Sequence, residues 1–140
     1  MEFVALRMAR VIGPGAKRTS SPWRSQMFEK PSGPLLLPFA PQAALSLVHV
    51  EDVAGMLLTL LDSAKIDRCA FNTPCEIWEA GSLKQTVEQI RSIRVELANP
   101  EAPGGPQCDG SLFAREFGFR IRGLKERFSA MEQSPKPRFP

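Results

Sequence analysis

Leu45-Ser46-Leu47-Val48-His49-Val50 runs without a break into Glu51-Asp52-Val53-Ala54-Gly55-Met56-Leu57-Leu58-Thr59-Leu60-Leu61. The first six residues are a short apolar run of strand length. The two acids that follow suit the positive end of a helix dipole. Beyond them the apolar positions form so wide a face that the helix is expected to be largely buried. A strand that feeds a buried helix belongs to an α/β fold, which is the class predicted here.

Upstream, Phe3 to Ile12 carries Val4, Leu6, Met8, Val11 and Ile12 and ends at Gly13-Pro14-Gly15. This fits a strand entering a sharp turn, with Arg7 and Arg10 facing water or a ligand. Ser20-Ser21-Pro22 marks a short helix through Trp23, Met27 and Phe28 that stops near Pro31-Ser32-Gly33-Pro34. Leu35 to Phe39, interrupted by Pro38, reads as an edge strand. Downstream, Cys69 to Thr73 is a short strand closed by Pro74. Ser82 is expected to cap an amphipathic helix with Leu83, Val87 and Ile90 inside and Lys84, Glu88 and Arg91 outside. Val95-Glu96-Leu97 follows as a last strand, and Asn99 to Gln107, rich in Pro and Gly, as a loop. Two short helices close the chain, one from an Asp109 cap with Leu112, Phe113 and Phe117, the other with Leu124, Phe128 and Met131. The segment 134–140 has three prolines and is read as a disordered tail.

The 140 residues suit one domain, and a 43% hydrophobic content supplies a core. Net charge is +3, from 18 basic and 15 acidic residues. Lys17, Arg18 and Arg24 form one loose basic group; Arg115, Arg120, Arg122, Lys125 and Arg127 form another, interrupted by Glu116 and Glu126. Without a recognised motif or stacking aromatics these read as solvated surface, and no nucleic-acid partner is expected. Three cysteines, Cys69, Cys75 and Cys108, without a Cys-x-x-Cys, indicate neither a disulfide framework nor zinc. They fit free thiols in a reducing cytoplasm, and Glu76 beside Cys75 does not favour a thiolate. No apolar run approaches the roughly 20 residues of a membrane span, and the N-terminus lacks a secretory pattern.

His49 is the lone histidine. It reads as a proton carrier or, better, as a packing residue at the strand–helix junction. Glu51 and Asp52 read as helix-start acids rather than an acid/base pair. Trp23 and Trp78 read as core anchors rather than ligand platforms.

Four pieces in order resemble the NAD-dependent epimerase/dehydratase family, the extended short-chain dehydrogenases/reductases. Leu6 to Gly15 is similar to L-R-P-x-N-V-Y-G-P-G, Leu47 to Ala54 to V-H-V-x-D-V-A, and Phe71-Asn72-Thr73-Pro74 to a later Y-N strand. Asp109 with Ala114-Arg115-Glu116-Phe117-Gly118-Phe119 resembles the closing D-x-x-x-A-x-x-x-L-G-F helix. The resemblance covers residues 3 to about 131. It implies the C-terminal portion of a Rossmann-type parallel sheet plus a small helical or mixed substrate-binding lobe. The expected division is 1–98 for the end of the sheet and the substrate-side segments, and 99–133 for the helical part of the lobe.

By the same resemblance Met8 and Ala9 lie against the cofactor, NAD or NADP, of a full-length relative. Arg10 and Ile12 lie against its small-molecule substrate. The family pattern has proline and asparagine where this chain has Met8 and Arg10. Arg10 is either an exposed strand-end arginine or a fork that holds an anionic or carbonyl-bearing group. Leu45 and Ser46 stand where sugar-nucleotide members carry an arginine that grips the diphosphate, which argues against such a substrate.

The family binds its cofactor on a Gly-rich turn, and this chain has none; Gly13-Pro14-Gly15 loses a donor to proline. The family's Tyr-x-x-x-Lys acid is also missing, because the chain contains no tyrosine. The chain is therefore expected to supply the substrate-side lobe, to hold no catalytic or metal-binding residue, to bind no cofactor alone and to be inactive alone. The alternative is a stand-alone assembly module that pairs its exposed sheet edge with a partner or with itself.

Overall fold

A computed structural model describes residues 3–15 and 21–133; Lys17, Arg18, Ser20 and the 134–140 tail lie outside the described residues. Short apolar runs give short strands here. β1 (Ala5–Arg7) and β2 (Arg10–Ile12) are parts of one extended stretch, separated by Met8-Ala9, that leaves one sheet and enters another. β1 pairs in parallel with β5 (Ala70–Asn72), Leu6 opposite Phe71. β2 pairs in parallel with β4 (Ala44–His49), Ile12 opposite His49. β4 pairs on its other side, antiparallel, with β6 (Glu76–Glu79). β3 (Leu35–Leu37) and β7 (Val95–Leu97) make a third, parallel ladder. The helices are α1 (Trp23–Gln26), α2 (Val50–Asp62), α3 (Ala80–Arg91), α4 (Ser111–Phe117) and α5 (Leu124–Gln133).

The mixed α/β class with parallel strands is the one expected. β6 was not expected: Glu76-Ile77-Trp78-Glu79 alternates half-buried and exposed residues over only four positions, and pairing with β4 holds it extended. The core has two parts. One gathers Ile12, Trp23, Met27, Phe28, Leu45 and Phe128 with the β3–β7 ladder. The other sets Val48, Val53 and Met56 against Phe71 and Phe113. Trp23 is fully buried, as a core anchor should be, and Trp78 packs partly buried against the first cluster.

Three expectations are corrected. α3 begins at Ala80 rather than at a Ser82 cap, because tertiary carbonyls take its first donors: Ala80 N–H bonds to the Ala43 oxygen at 2.9 Å and Gly81 N–H to the Pro41 oxygen at 2.8 Å. Arg91 lies inside, not outside; its Nε donates to the Met27 carbonyl at 3.2 Å, and its guanidinium also pairs with Glu132 of α5. α2 is not largely buried. Asp52, Val53 and Met56 are buried, while Leu57, Leu58 and Leu61 are 49%, 60% and 81% exposed, because this chain packs against one face of the helix alone.

The Pro/Gly-rich loop forms a strap pressed across the sheet. Ala102 accepts from the Ala40 N–H at 2.9 Å, and the Cys108 N–H donates to Ser46 Oγ at 3.0 Å. Two glycines permit this approach. A methyl at Gly104 would collide with the Ala44 carbonyl, and one at Gly110 with the Thr73–Pro74 backbone.

Candidate functional site at the Met8–Arg10 crossover

Ligands of open α/β sheets bind outside the carboxyl ends of parallel strands. In the β1–β5 pair those ends are Arg7 and Asn72, and the chain then steps through Met8 and Ala9 into β2. The step is held by Thr73, which is fully buried. Thr73 N–H donates to the Arg7 carbonyl at 2.9 Å, and Thr73 Oγ1 accepts from Ala9 N–H at 3.0 Å. The Ala9 backbone is thereby fixed, and the Met8 side chain is left 59% exposed at the strand end.

Arg10, half-buried, stands at the start of β2. Its guanidinium lies 5.1 Å from the centre of the Phe39 ring, and one terminal nitrogen donates to the Gly104 carbonyl of the strap. Burial lowers its pKa, yet a guanidinium stays charged at any physiological pH. Arg10 is thus a half-buried arginine held by Phe39 and the strap. Ile12, two residues further along β2 and so on the same face, is buried in the core. Met8, Ala9 and Arg10 thus lie at one strand end, and Ile12 of the same strand is closed off in the core.

His49 serves the fold. It is the N-cap of α2, its Nδ1 accepting from Glu51 N–H at 3.1 Å, so a neutral ring carries its proton on Nε2. Its ring meets Phe28 edge-on at 5.0 Å between centres. Burial, and next the Arg127 charge, lower its pKa and keep it neutral at pH 7. Glu51 and Asp52 are the helix-start acids expected. They also receive Arg127 of α5: Nη1 lies 2.6 Å from Glu51 and Nη2 2.9 Å from Asp52. Arg127, read from the sequence as solvated surface, is therefore a buried ion-pair partner. Leu45 and Ser46 are both buried, and Ser46 spends its hydroxyl on the strap.

Sequence reasoning missed Thr73, Arg127 and the strap glycines. Thr73 carried no signal beyond its place after Asn72. Gly104-Gly105 did carry one, a glycine pair inside a loop, which marks close backbone approach as well as a turn.

A second feature is a cleft of about 750 Å³ lined by Cys75, Cys108, Asp109, Ser111, Phe119 and Arg120 among others. Asp109 precedes α4 rather than capping it directly; its Oδ1 accepts from Ser111 N–H at 2.9 Å, which lowers its pKa. Among the described residues no cluster of three metal-ligating side chains occurs, and no helix is long and apolar enough to cross a membrane.

No protein-family model and no curated protein matches this sequence. Solved structures do match it. L-threonine dehydrogenase from Phytophthora infestans superposes with a TM-score of 0.72 at 12% identity, over 93% of this chain and 47% of that one. UDP-glucuronic acid 4-epimerase from Bacillus cereus, solved with UDP-glucuronic acid and NAD, gives 0.66 at 17% identity, over 95% of this chain and 46% of that one. RMD from Pseudomonas aeruginosa, complexed with NADPH, gives 0.65 at 15% identity, over 93% and 46%. The chain is thus folded like part of the Rossmann-type dehydrogenases and epimerases. It spans less than half the length of each of these three structures, two of which were solved with a nicotinamide cofactor.

Proposed function

We propose that this chain is the substrate-side part of an NAD(P)-dependent epimerase/dehydratase-like enzyme, with the cofactor turn and the catalytic acid on another segment or another polypeptide. The observation that carries this is the Met8–Arg10 crossover. It lies at the carboxyl end of a parallel strand pair, in a fold shared with enzymes solved holding NAD and NADPH. In this reading Met8 and the Ala9 backbone line the cofactor side. Arg10, braced by Phe39 and Gly104, offers charge-assisted donors to a small substrate bearing a carboxylate or carbonyl, and Ile12 supports it from the core. Among the described residues β1 has one partner strand, so its other edge is where the remainder of a parallel sheet is proposed to add. Free thiols and the absence of a zinc pattern fit a reducing, cytoplasmic setting.

The test is a titration of the purified chain with NADH and NADPH, alone and mixed with a polypeptide bearing the Gly-rich turn and Tyr-x-x-x-Lys of a relative. No saturable binding is expected alone, and binding is expected on reconstitution. Micromolar binding by the chain alone overturns the reading. Arg10→Ala is then expected to weaken substrate without changing cofactor affinity.

A further inference from the structure

Two of the three cysteines meet. Cys75 lies in the turn between β5 and β6, and Cys108 lies near the end of the strap. The Cys75 thiol donates to the carbonyl of Cys108 itself at 3.1 Å. The Cys108 thiol points at the Thr73 carbonyl at 3.7 Å, and its N–H is pinned by Ser46 Oγ at 3.0 Å. The two backbones are seated against each other, since Gly110 leaves no room for a methyl beside Thr73 and Pro74. Both cysteines are half-buried and both line the 750 Å³ cleft, through which a small oxidant reaches them. A disulfide requires two cysteines already this near, on backbones that need not move far. Cys69 is exposed and stands apart from this arrangement.

We propose that Cys75 and Cys108 form an oxidisable dithiol, closed to an intramolecular disulfide by a peroxide or a low-molecular-weight disulfide, which clamps the strap to the β5–β6 turn. With hydrogen peroxide, one thiol is oxidised to a sulfenic acid, releasing water. The other sulfur then attacks it, forming the S–S bond and releasing a second water. Two thiols and one peroxide give one disulfide and two waters, a two-electron oxidation. With oxidised glutathione, the two thiols reduce it to two glutathione thiols through a mixed disulfide. Burial pushes the Cys75 thiol up, and the neighbouring Cys108 adds to this, so Cys75 rests as a thiol at neutral pH. The same strap supplies the Gly104 carbonyl that holds Arg10, so the clamp bears on the crossover without belonging to it. A reversible bond of this kind fits a reducing compartment, where lasting disulfides are rare.

The experiment uses the full chain with the exposed thiol removed, Cys69→Ser, treated with hydrogen peroxide or oxidised glutathione. The expected product is a monomer lighter by two hydrogens. Digestion without reductant joins the peptide holding Cys75 to that holding Cys108. Its formation is several-fold faster in buffer than in urea, and hydrogen exchange across residues 102–110 slows. Disulfide-linked dimers, separate glutathione adducts on both cysteines, or equal rates folded and unfolded would each overturn the proposal. Cys108→Ser in the same background is expected to accumulate the glutathione adduct on Cys75 instead. Failure of cofactor reconstitution would leave this outcome unaffected, because the dithiol is contained within the chain.

Discussion

The two ends of α2 face different worlds. At its N-terminus the charges are paired within the chain: His49 caps the helix, Arg127 bridges Glu51 and Asp52, and the Arg122 N–H reaches Asp52 at 3.4 Å. Toward its C-terminus Leu57, Leu58 and Leu61 stand in water, as do Phe3 and Met8 on the β1 side. The first region is closed by this chain's own α5. The second combines a strand whose outer edge is unpaired among the described residues with a helix whose apolar face is uncovered there, and it is where the proposed partner would sit. The contrast locates where the chain is self-sufficient and where it is not.

The largest effect is expected from breaking the closed region at its centre. Arg127→Met leaves Asp52 buried without its countercharge and should cost about 3–5 kcal/mol in urea unfolding. Adding Asp52→Asn should recover part of that loss, and full additivity of the two changes would refute the pairing. Next comes the strap. Gly104→Ala forces a methyl into the Ala44 carbonyl and should cost about 1–3 kcal/mol, with faster exchange at Ala40 and Cys108, whose N–H groups bond to and from the strap.

These two positions also show what a sequence conceals. The strands at 35–37, 44–49, 70–72 and 95–97 and the helix after His49 were legible, because apolar runs and helix-start acids act locally. The crossover was legible through ordered landmarks rather than through any one residue. Arg127 and Arg91 were not legible, since burial of an arginine depends on carboxylates and carbonyls far away in the chain: Glu51 and Asp52 for the first, Met27 and Glu132 for the second. The wide apolar face of α2 was legible, but what covers it was not. Periodicity reports that a face is apolar and leaves open which polypeptide meets it.

The open region is sharpened by a change that should scarcely disturb the fold. Leu58→Glu with Leu61→Glu alters exposed positions and should shift unfolding by no more than about 0.5 kcal/mol. Any self-association seen by light scattering, and any capture of a cofactor-bearing half, should be lost. If association persists, the partner surface lies elsewhere and the contrast between the two ends of α2 fails.

The smallest effect is in pH, and it probes the closed end alone. His49 has its folded pKa depressed, by burial first and the Arg127 charge second, below the ordinary value of 6.5. The unfolded chain therefore takes up the proton first on acidification. Stability is full above about 6.5 and falls as pH drops through the lower folded value. Glu51 is depressed by its hydrogen bond to Arg127, so its contribution is full above 4.5 and is lost lower still, in a window it shares with Glu88 and Asp109. Urea midpoints measured against pH should show both declines. His49→Asn, which keeps a capping side chain, should abolish the upper one and spare the lower. Arg127→Met should narrow the upper window, because one of the charges that depresses His49 is gone. An unchanged upper window in that variant would mean that the arginine serves the two acids without reaching the ring.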